Sequence, residues 1–96
     1  MTHIPENIKV TEAKPFRNHW LLVTFSDGEK RLFSADLLHG SAFAPLADEA
    51  LFLHPVLFRG VMTWKNGEID VAPEYVYDVG LPYQENKKDE ERSANG

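Results

Sequence analysis

The apolar positions of this chain fall into short runs that alternate with polar positions, and two polar turns interrupt these runs. One turn contains Asp27-Gly28 and the other contains Asn66-Gly67. Both dipeptides favour the positive φ angles of tight hairpin turns, so the apolar runs that flank each turn predict a β-hairpin. The predicted strand pairs are residues 20–25 with 30–34, and residues 61–65 with 68–71.

The second hairpin has the better defined register. A two-residue turn at Asn66-Gly67 places Trp64 opposite Ile69 and Met62 opposite Val71, which puts both apolar pairs on one face of the sheet. In the first hairpin, loops of two and three residues give registers that differ by one position. The sequence leaves both of those registers open.

Helix signals lie between and after the hairpins. Ser34 and Asp48 are predicted N-caps, because their side-chain oxygens can accept hydrogen bonds from the free N–H groups of a first helical turn. Pro73 at a first helical position, with Gly80 after the last one, predicts a further short helix. The helical turns that begin at the two caps are predicted over residues 35–39 and 49–53.

Four other segments complete the secondary structure. Residues 8–14 alternate weakly and predict a first strand that ends at Pro15. Residues 41–46 are apolar but include a proline, which predicts a packed loop. Residues 56–60 fit a strand or irregular structure equally well. The apolar stretch over residues 43–58 is predicted to form the main core layer on the sheet, with a binding groove or dimer surface as the alternative.

Together these elements predict an α+β fold. We expect a small antiparallel sheet built from two β-hairpins and a first strand, with two or three short helices packed on it. A chain of 96 residues suits one domain, which we place at residues 1–83. Residues 84–96 have no large apolar side chain and predict a disordered polar tail, because too little surface could be buried to offset the entropy of ordering.

Composition and charge narrow the function classes. The formal net charge of −5 argues against nucleic-acid binding by this chain alone, since phosphate contacts require a concentrated basic surface. The absence of cysteine excludes disulfides and thiolate metal sites. No apolar run approaches the about 20 residues of a membrane-spanning helix, and the first residues lack the pattern of a signal peptide. We therefore expect a cytoplasmic location without membrane insertion.

The reactive side chains do not form a recognisable catalytic set. The four histidines lack metal-ligand spacing, and no serine lies in a nucleophile motif. Asp70 and Glu74 could act as a general acid–base pair, although we favour capping and dipole roles at the start of the helix that follows. The sequence thus predicts no catalytic residue, no metal and no cofactor.

Several segments of the chain, taken in order, resemble a known family. These segments are residues 22–29, 31–38, 43–48, 51–52 and 64–77. The most specific segment carries Trp64, Asn66, Gly67, Asp70, Pro73 and Glu74, which we treat as a structural motif. Over roughly residues 8–78 the chain resembles a small bacterial family described only as a domain of unknown function. The usual proline after the tryptophan of that family is replaced here by Lys65.

The resemblance implies a compact α+β domain, and it implies two alternative biological roles. In some members of the family this domain precedes a helix-turn-helix in the same chain, which implies a transcriptional regulator. Others stand alone, sometimes beside a gene for a toxin-like protein, which implies an antitoxin-like role. The family has no established catalytic residues, so the resemblance assigns none to this chain.

These observations favour a non-catalytic accessory or regulatory protein that acts through contacts with an unidentified protein partner or with itself. Trp20, Tyr75 and Tyr77 are the candidate interaction residues. Trp20 opens a strand on the face opposite its apolar neighbours, and the two tyrosines lie on different faces of the last helix, so at least one should be exposed. The alternatives are an antitoxin-like partner of a neighbouring toxin, and a small ligand-binding or enzymatic domain that uses Asp70, Glu74 and a histidine in a cleft.

Overall fold

The computed structural model describes residues 4–83 and confirms the predicted α+β class. The predicted tail at residues 84–96 lies outside the described residues. In chain order the strands are β1 (Val10–Phe16), β2 (Trp20–Phe25), β3 (Lys30–Ser34), β4 (Val56–Phe58), β5 (Val61–Trp64), β6 (Ile69–Val71) and β7 (Leu81–Pro82). The α-helices are α1 (Glu49–Phe52) and α2 (Pro73–Val79), and 3₁₀ helices span Arg17–His19, Ala35–Leu37 and Ser41–Ala47.

The two predicted hairpins lie in separate antiparallel sheets. One sheet has the strand order β1-β2-β3-β7, and the other has the order β4-β5-β6. The first strand pairs with β2, and it runs two residues further along the chain than predicted. The sheets meet where the N–H of Val10 donates to the carbonyl of Gly60 at 2.7 Å. The β7 strand, which no local pattern predicted, pairs with residues 31–32 of β3.

The first hairpin adopts the three-residue loop that the sequence left open. The N–H of Gly28 donates to the carbonyl of Phe25 at 2.9 Å, and Gly28 has a φ of +88°. A turn followed by a residue with positive φ is typical of a bulged three-residue hairpin. As a result, Leu22 lies opposite Leu32 and Val23 lies opposite Arg31.

The second hairpin has the predicted register. Trp64 pairs with Ile69, and Met62 pairs with Val71. All four side chains are buried in the core. The turn between the strands begins after Trp64, and Asn66 has a φ of 55°, as the Asn-Gly signal predicts.

Two of the predicted helix caps are present. The Ser34 hydroxyl accepts a hydrogen bond from the N–H of Asp36 at 3.2 Å, and the Asp48 carboxylate accepts one from the N–H of Ala50 at 3.0 Å. The prediction of a packed loop over residues 41–46 was wrong, because these residues form a 3₁₀ helix. Pro45 lacks an N–H, but its carbonyl still accepts a bond from the N–H of Asp48 at 3.1 Å, so the i to i+3 pattern continues through it.

The core lies between the two sheets and the helical segments. It contains the buried apolar side chains Ile8, Val10, Leu21, Val23, Phe25, Phe33, Ala35, Leu46, Phe52, Met62, Trp64, Ile69, Val71, Val76 and Tyr77. The apolar stretch that was predicted as one core layer is divided. Leu46 and Phe52 are buried, whereas Val56, Leu57 and Phe58 are exposed. No helix within residues 4–83 has the length and apolar content needed to cross a membrane.

Candidate functional site

The outer face of the four-stranded sheet carries an exposed apolar strip. Because side chains alternate along a strand, the residues between the buried positions of β2 and β3 point away from the core. Phe16 lies opposite Trp20, Leu22 lies opposite Leu32, and Leu32 lies opposite Leu81. We call this set the Trp20 face: Phe16, Trp20, Leu22, Leu32 and Leu81.

The members of the Trp20 face differ in exposure. Phe16 and Leu81 are exposed, Trp20 retains 37% of its accessible surface, and the two central leucines are half-buried. Lys14 lies opposite Leu22 on β1, so a cation borders the strip on that side. The strip itself is apolar and can dock a complementary surface, but its side chains offer no acid, base or nucleophile.

The outer face of the three-stranded sheet forms a groove of about 730 Å³. Its apolar part consists of Val56, Phe58 and Val61, because Val56 and Phe58 lie on the same face of β4, and Val61 lies opposite Phe58. Val56 and Phe58 are 58% and 61% exposed. We call this surface the Phe58 groove, and its remaining lining residues are Arg59, Thr63, Asn66, Gly67 and Asp70.

Polar contacts shape the Phe58 groove. Thr63 is 5% exposed, and its hydroxyl donates to the carbonyl of Val56 at 2.7 Å, which satisfies a polar group that would otherwise be buried alone. The guanidinium carbon of Arg59 lies 5.3 Å from the centre of the Phe58 ring. This cation–π contact places the Arg59 charge on the groove side of the sheet.

Asp70 and Glu74 are not brought together. Asp70 lies on β6 opposite Thr63 and is exposed. It lines the Phe58 groove and a second cavity of about 390 Å³, where His39 is also found. Glu74 lies in the first turn of α2 and lines neither of these cavities. In the part of the chain that the structure describes, no group of three or more potential metal ligands is present.

The capping role favoured for Asp70 was wrong. The N-cap of α2 is Ala72, which makes no side-chain cap bond, and α2 begins at Pro73 as predicted. Asp70 belongs to β6 and pairs across to Thr63, so its side chain points to the groove rather than along the helix axis. Glu74 does occupy the first turn of the helix, where the helix dipole favours a negative charge.

The two tyrosines of α2 lie on different faces, as predicted. Tyr75 is exposed, and its ring packs edge-on against Phe33 at 6.0 Å. Tyr77 is 7% exposed, so its assignment as an interaction residue is corrected. Its ring lies edge-on to Phe25 at 5.0 Å, because the inner face of α2 covers the first hairpin.

The hydroxyl of Tyr77 has a perturbed acidity. It donates to the carboxylate of Asp27 at 2.9 Å. This hydrogen bond, together with burial of the ring and the negative charges of Asp27 and Glu29, raises the pKa of Tyr77, and the charge of Arg31 opposes the shift. Tyr77 is therefore neutral at physiological pH and acts as a fixed donor.

Sequence reasoning missed a His–Asp pair. The Nδ1 atom of His19 lies 3.2 Å from the carboxylate of Asp36, and the His19 ring packs edge-on against Phe52 at 5.2 Å. Asn18 and His19 both have positive φ angles, which turn the chain sharply before β2. The pairing of Trp20 with Ser34 could have indicated this contact, since it brings the segments before β2 and after β3 to one end of the sheet.

The His19–Asp36 pair lines a cavity of about 220 Å³. The other lining residues are Ala35, Leu38, Gly40, Phe43, Ala44, Leu46 and Ala47, so among residues 4–83 no hydroxyl or thiol nucleophile faces the histidine there. The cavity is also smaller than the about 300 to 1,000 Å³ of typical ligand pockets. We interpret the pair as a structural link between the turn before β2 and the helix after β3.

The residues of the predicted structural motif support the scaffold. Trp64 is fully buried, stacks on Phe52 at 6.0 Å, and donates from Nε1 to the Phe52 carbonyl at 2.9 Å. Asn66 and Gly67 form the turn with positive φ angles, and Pro73 opens α2.

A scan against protein-family models and searches of curated proteins and solved structures find no match to this chain.

Proposed function

We propose that this chain is a non-catalytic module that acts through protein–protein contacts, and that the Trp20 face binds its partner. The observation that carries the proposal is an open sheet face on which two aromatic side chains and three leucines lie in adjacent rows. Contiguous exposed apolar patches of this kind mark interaction sites. Tryptophan is also over-represented among residues that dominate binding energy.

The partner that fits this face is a protein with a complementary apolar ridge. The charge of Lys14, opposite Leu22, would contact a carboxylate at the edge of that ridge. Binding would bury Trp20 and Phe16 together, and such an aromatic pair offers a large contact area at low entropic cost. A nucleic acid fits less well, since the strip is apolar and the chain has a formal net charge of −5.

The non-catalytic part of the proposal draws support from the placement of reactive groups. Neither cavity that Asp70 lines includes Glu74, and none of the described residues that line the cavity of the His19–Asp36 pair is a hydroxyl or thiol nucleophile. The resemblance to a bacterial family, some members of which resemble transcriptional regulators, leads us to propose an accessory or regulatory role in a bacterial cytoplasm. An antitoxin-like role remains a narrower form of the same binding proposal.

A capture experiment tests the role of the Trp20 face. The full chain carries an affinity tag and is incubated with extract of the native host, in parallel with Trp20→Glu and Leu37→Glu variants. Leu37 is also exposed but lies on the 3₁₀ helix after β3, outside the Trp20 face. We expect one protein to be retained by the wild type and by Leu37→Glu, and lost with Trp20→Glu. Equal capture by all three chains, or capture by none, would contradict the proposal.

A further inference from the structure

The Phe58 groove combines an apolar centre with opposite charges at its two edges. Arg59 lies in the turn between β4 and β5, and Asp70 lies on β6. Arg59 follows directly after the edge strand β4, and Asp70 belongs to the other edge strand, β6, so the two residues lie on opposite sides of the central strand β5. Both line the groove, and neither forms an ion pair with any residue between positions 4 and 83.

This arrangement is complementary to itself. In an interface with two-fold symmetry, the same surface of both copies meets, so a residue at one edge contacts the residue at the opposite edge of the other copy. If the groove of a second copy faced the groove of the first, Arg59 of each copy would contact Asp70 of the other. The interface would then contain two equivalent ion pairs. Between the two ion pairs, Val56, Phe58 and Val61 would pack against their equivalents.

We propose that the Phe58 groove is the interface of a symmetric homodimer. Its geometry favours a second copy over an unrelated partner, because charge and apolar surface are matched within the one groove. Val56 and Phe58 in the apolar centre are exposed and Val61 is half-buried, and the Arg59 guanidinium lies 5.3 Å from the centre of the Phe58 ring. The inference concerns a different surface from the Trp20 face, so a partner protein and a second copy could bind at the same time.

Charge reversal tests the proposed pairing. The association of the full chain is measured by sedimentation equilibrium from micromolar to millimolar concentration. We expect Arg59→Asp and Asp70→Arg each to weaken dimerisation about tenfold or more, because each change creates two like-charge contacts in a symmetric dimer. Aspartate suits position 59, where φ is 52°, since it tolerates positive φ better than most residues.

Recombination of the reversed charges makes the test specific. The Arg59→Asp/Asp70→Arg double variant should recover dimerisation, because its two ion pairs are exchanged rather than lost. An equimolar mixture of the two single variants should form a heterodimer, since opposite charges then face each other at both contacts. Phe58→Glu should yield a monomer, and Trp20→Glu should leave the dimer intact. Circular dichroism of each variant verifies that it is folded.

Two results would overturn the inference. The first is a wild-type chain that stays monomeric up to millimolar concentration. The second is a dimer whose dissociation constant is unchanged by both single charge reversals. Either result leaves the proposed role of the Trp20 face standing if Trp20→Glu still abolishes capture of a partner, so the two proposals fail separately.

Discussion

The hydroxyl of Tyr77 donates a hydrogen bond to the carboxylate of Asp27 at 2.9 Å, although 50 residues separate them in the chain. The contact joins α2 to the turn of the first hairpin. Arg31 strengthens the same junction, because its guanidinium lies 4.5 Å from the centre of the Tyr77 ring and donates to the carbonyl of Gly80 at 3.3 Å. These side chains thus hold the C-terminal half of the last helix against the first hairpin.

Replacement of Tyr77 by phenylalanine tests this junction. The Tyr77→Phe variant loses one hydrogen bond to a charged acceptor but keeps the ring packed on Phe25, so we expect the free energy of unfolding to fall by about 1 to 2 kcal/mol. Tyr75→Phe is the control, since Tyr75 is exposed and should change stability by less than about 0.5 kcal/mol. Urea denaturation at pH 7 measures both values, and equal losses in the two variants would count against the bond.

The same tyrosine predicts a pH dependence at the alkaline end. The pKa of Tyr77 is raised in the folded chain above its ordinary value of about 10. The unfolded chain therefore loses this proton first, so the stabilisation is complete below about pH 10 and is lost as pH rises through the folded pKa. We expect wild-type stability to fall more steeply above pH 10 than that of Tyr77→Phe, as measured by urea denaturation across this range.

The two tryptophans should differ in their structural importance. Trp64→Phe leaves the Phe52 carbonyl without its donor and opens a void in a fully packed site, so we expect a loss of about 2 to 4 kcal/mol. Trp20→Phe changes an exposed side chain and should cost less than about 0.5 kcal/mol. Thermal and urea unfolding compare the variants. A loss of similar size in both would mean that Trp20 contributes to the core.

Two glycines with positive φ provide a matched test of close packing. A Cβ on Gly60 would lie 2.6 Å from the Cβ of Lys9, whereas a Cβ on Gly28 would have no neighbour within 4 Å in the described part of the chain. Both Gly→Ala changes introduce similar backbone strain, because φ is +82° and +88° respectively. We expect Gly60→Ala to be destabilised by about 1 to 3 kcal/mol more than Gly28→Ala, as measured by urea unfolding. Equal losses would show that Lys9 yields without cost.

Replacement of Asp48 and of Asp70 by alanine should lower the free energy of unfolding by different amounts, because Asp48 caps a helix and Asp70 is an exposed charge on a strand. Asp48→Ala removes the acceptor for the N–H of Ala50 and should cost about 1 kcal/mol. Asp70→Ala changes an exposed strand residue and should cost less than about 0.5 kcal/mol. Urea unfolding at a concentration that keeps the chain monomeric gives both values. The opposite order would place the stronger local role at Asp70.

The sequence predicted the features that neighbouring residues determine. Asn66-Gly67 defined a turn and a register, Asp48 defined a cap, and Pro73 defined the start of a helix, because each acts within a few bonds of its own backbone. The α+β class followed from these local elements. The turn residues around Gly28 were compatible with loops of two and three residues. Which loop forms depends on the strand pairing along the whole hairpin, so the register could not be predicted from the turn alone.

The features that prediction missed arise from long-range packing. The burial of Tyr77 depends on its packing against Phe25 of the first hairpin, and the exposure of Phe58 depends on which sheet its strand joins. An apolar stretch reads the same whether it lies in the core or on a surface, so the division between Phe52 and Phe58 was not visible in composition. His19 and Asp36 meet only because the ends of β2 and β3 coincide.

The short β7 strand has a consequence for assembly. It pairs with Arg31 and Leu32 of β3, and the N–H of Tyr83 donates to the carbonyl of Lys30 at 3.0 Å. Without Leu81 and Pro82, the backbone of β3 would form a bare border to which strands of other molecules could add. Pro82 lacks an N–H, so the outer edge of β7 is a poor template for the addition of a further strand. The two-residue β7 strand thus covers part of the β3 edge of the larger sheet against strand addition, while the apolar face of that sheet stays open.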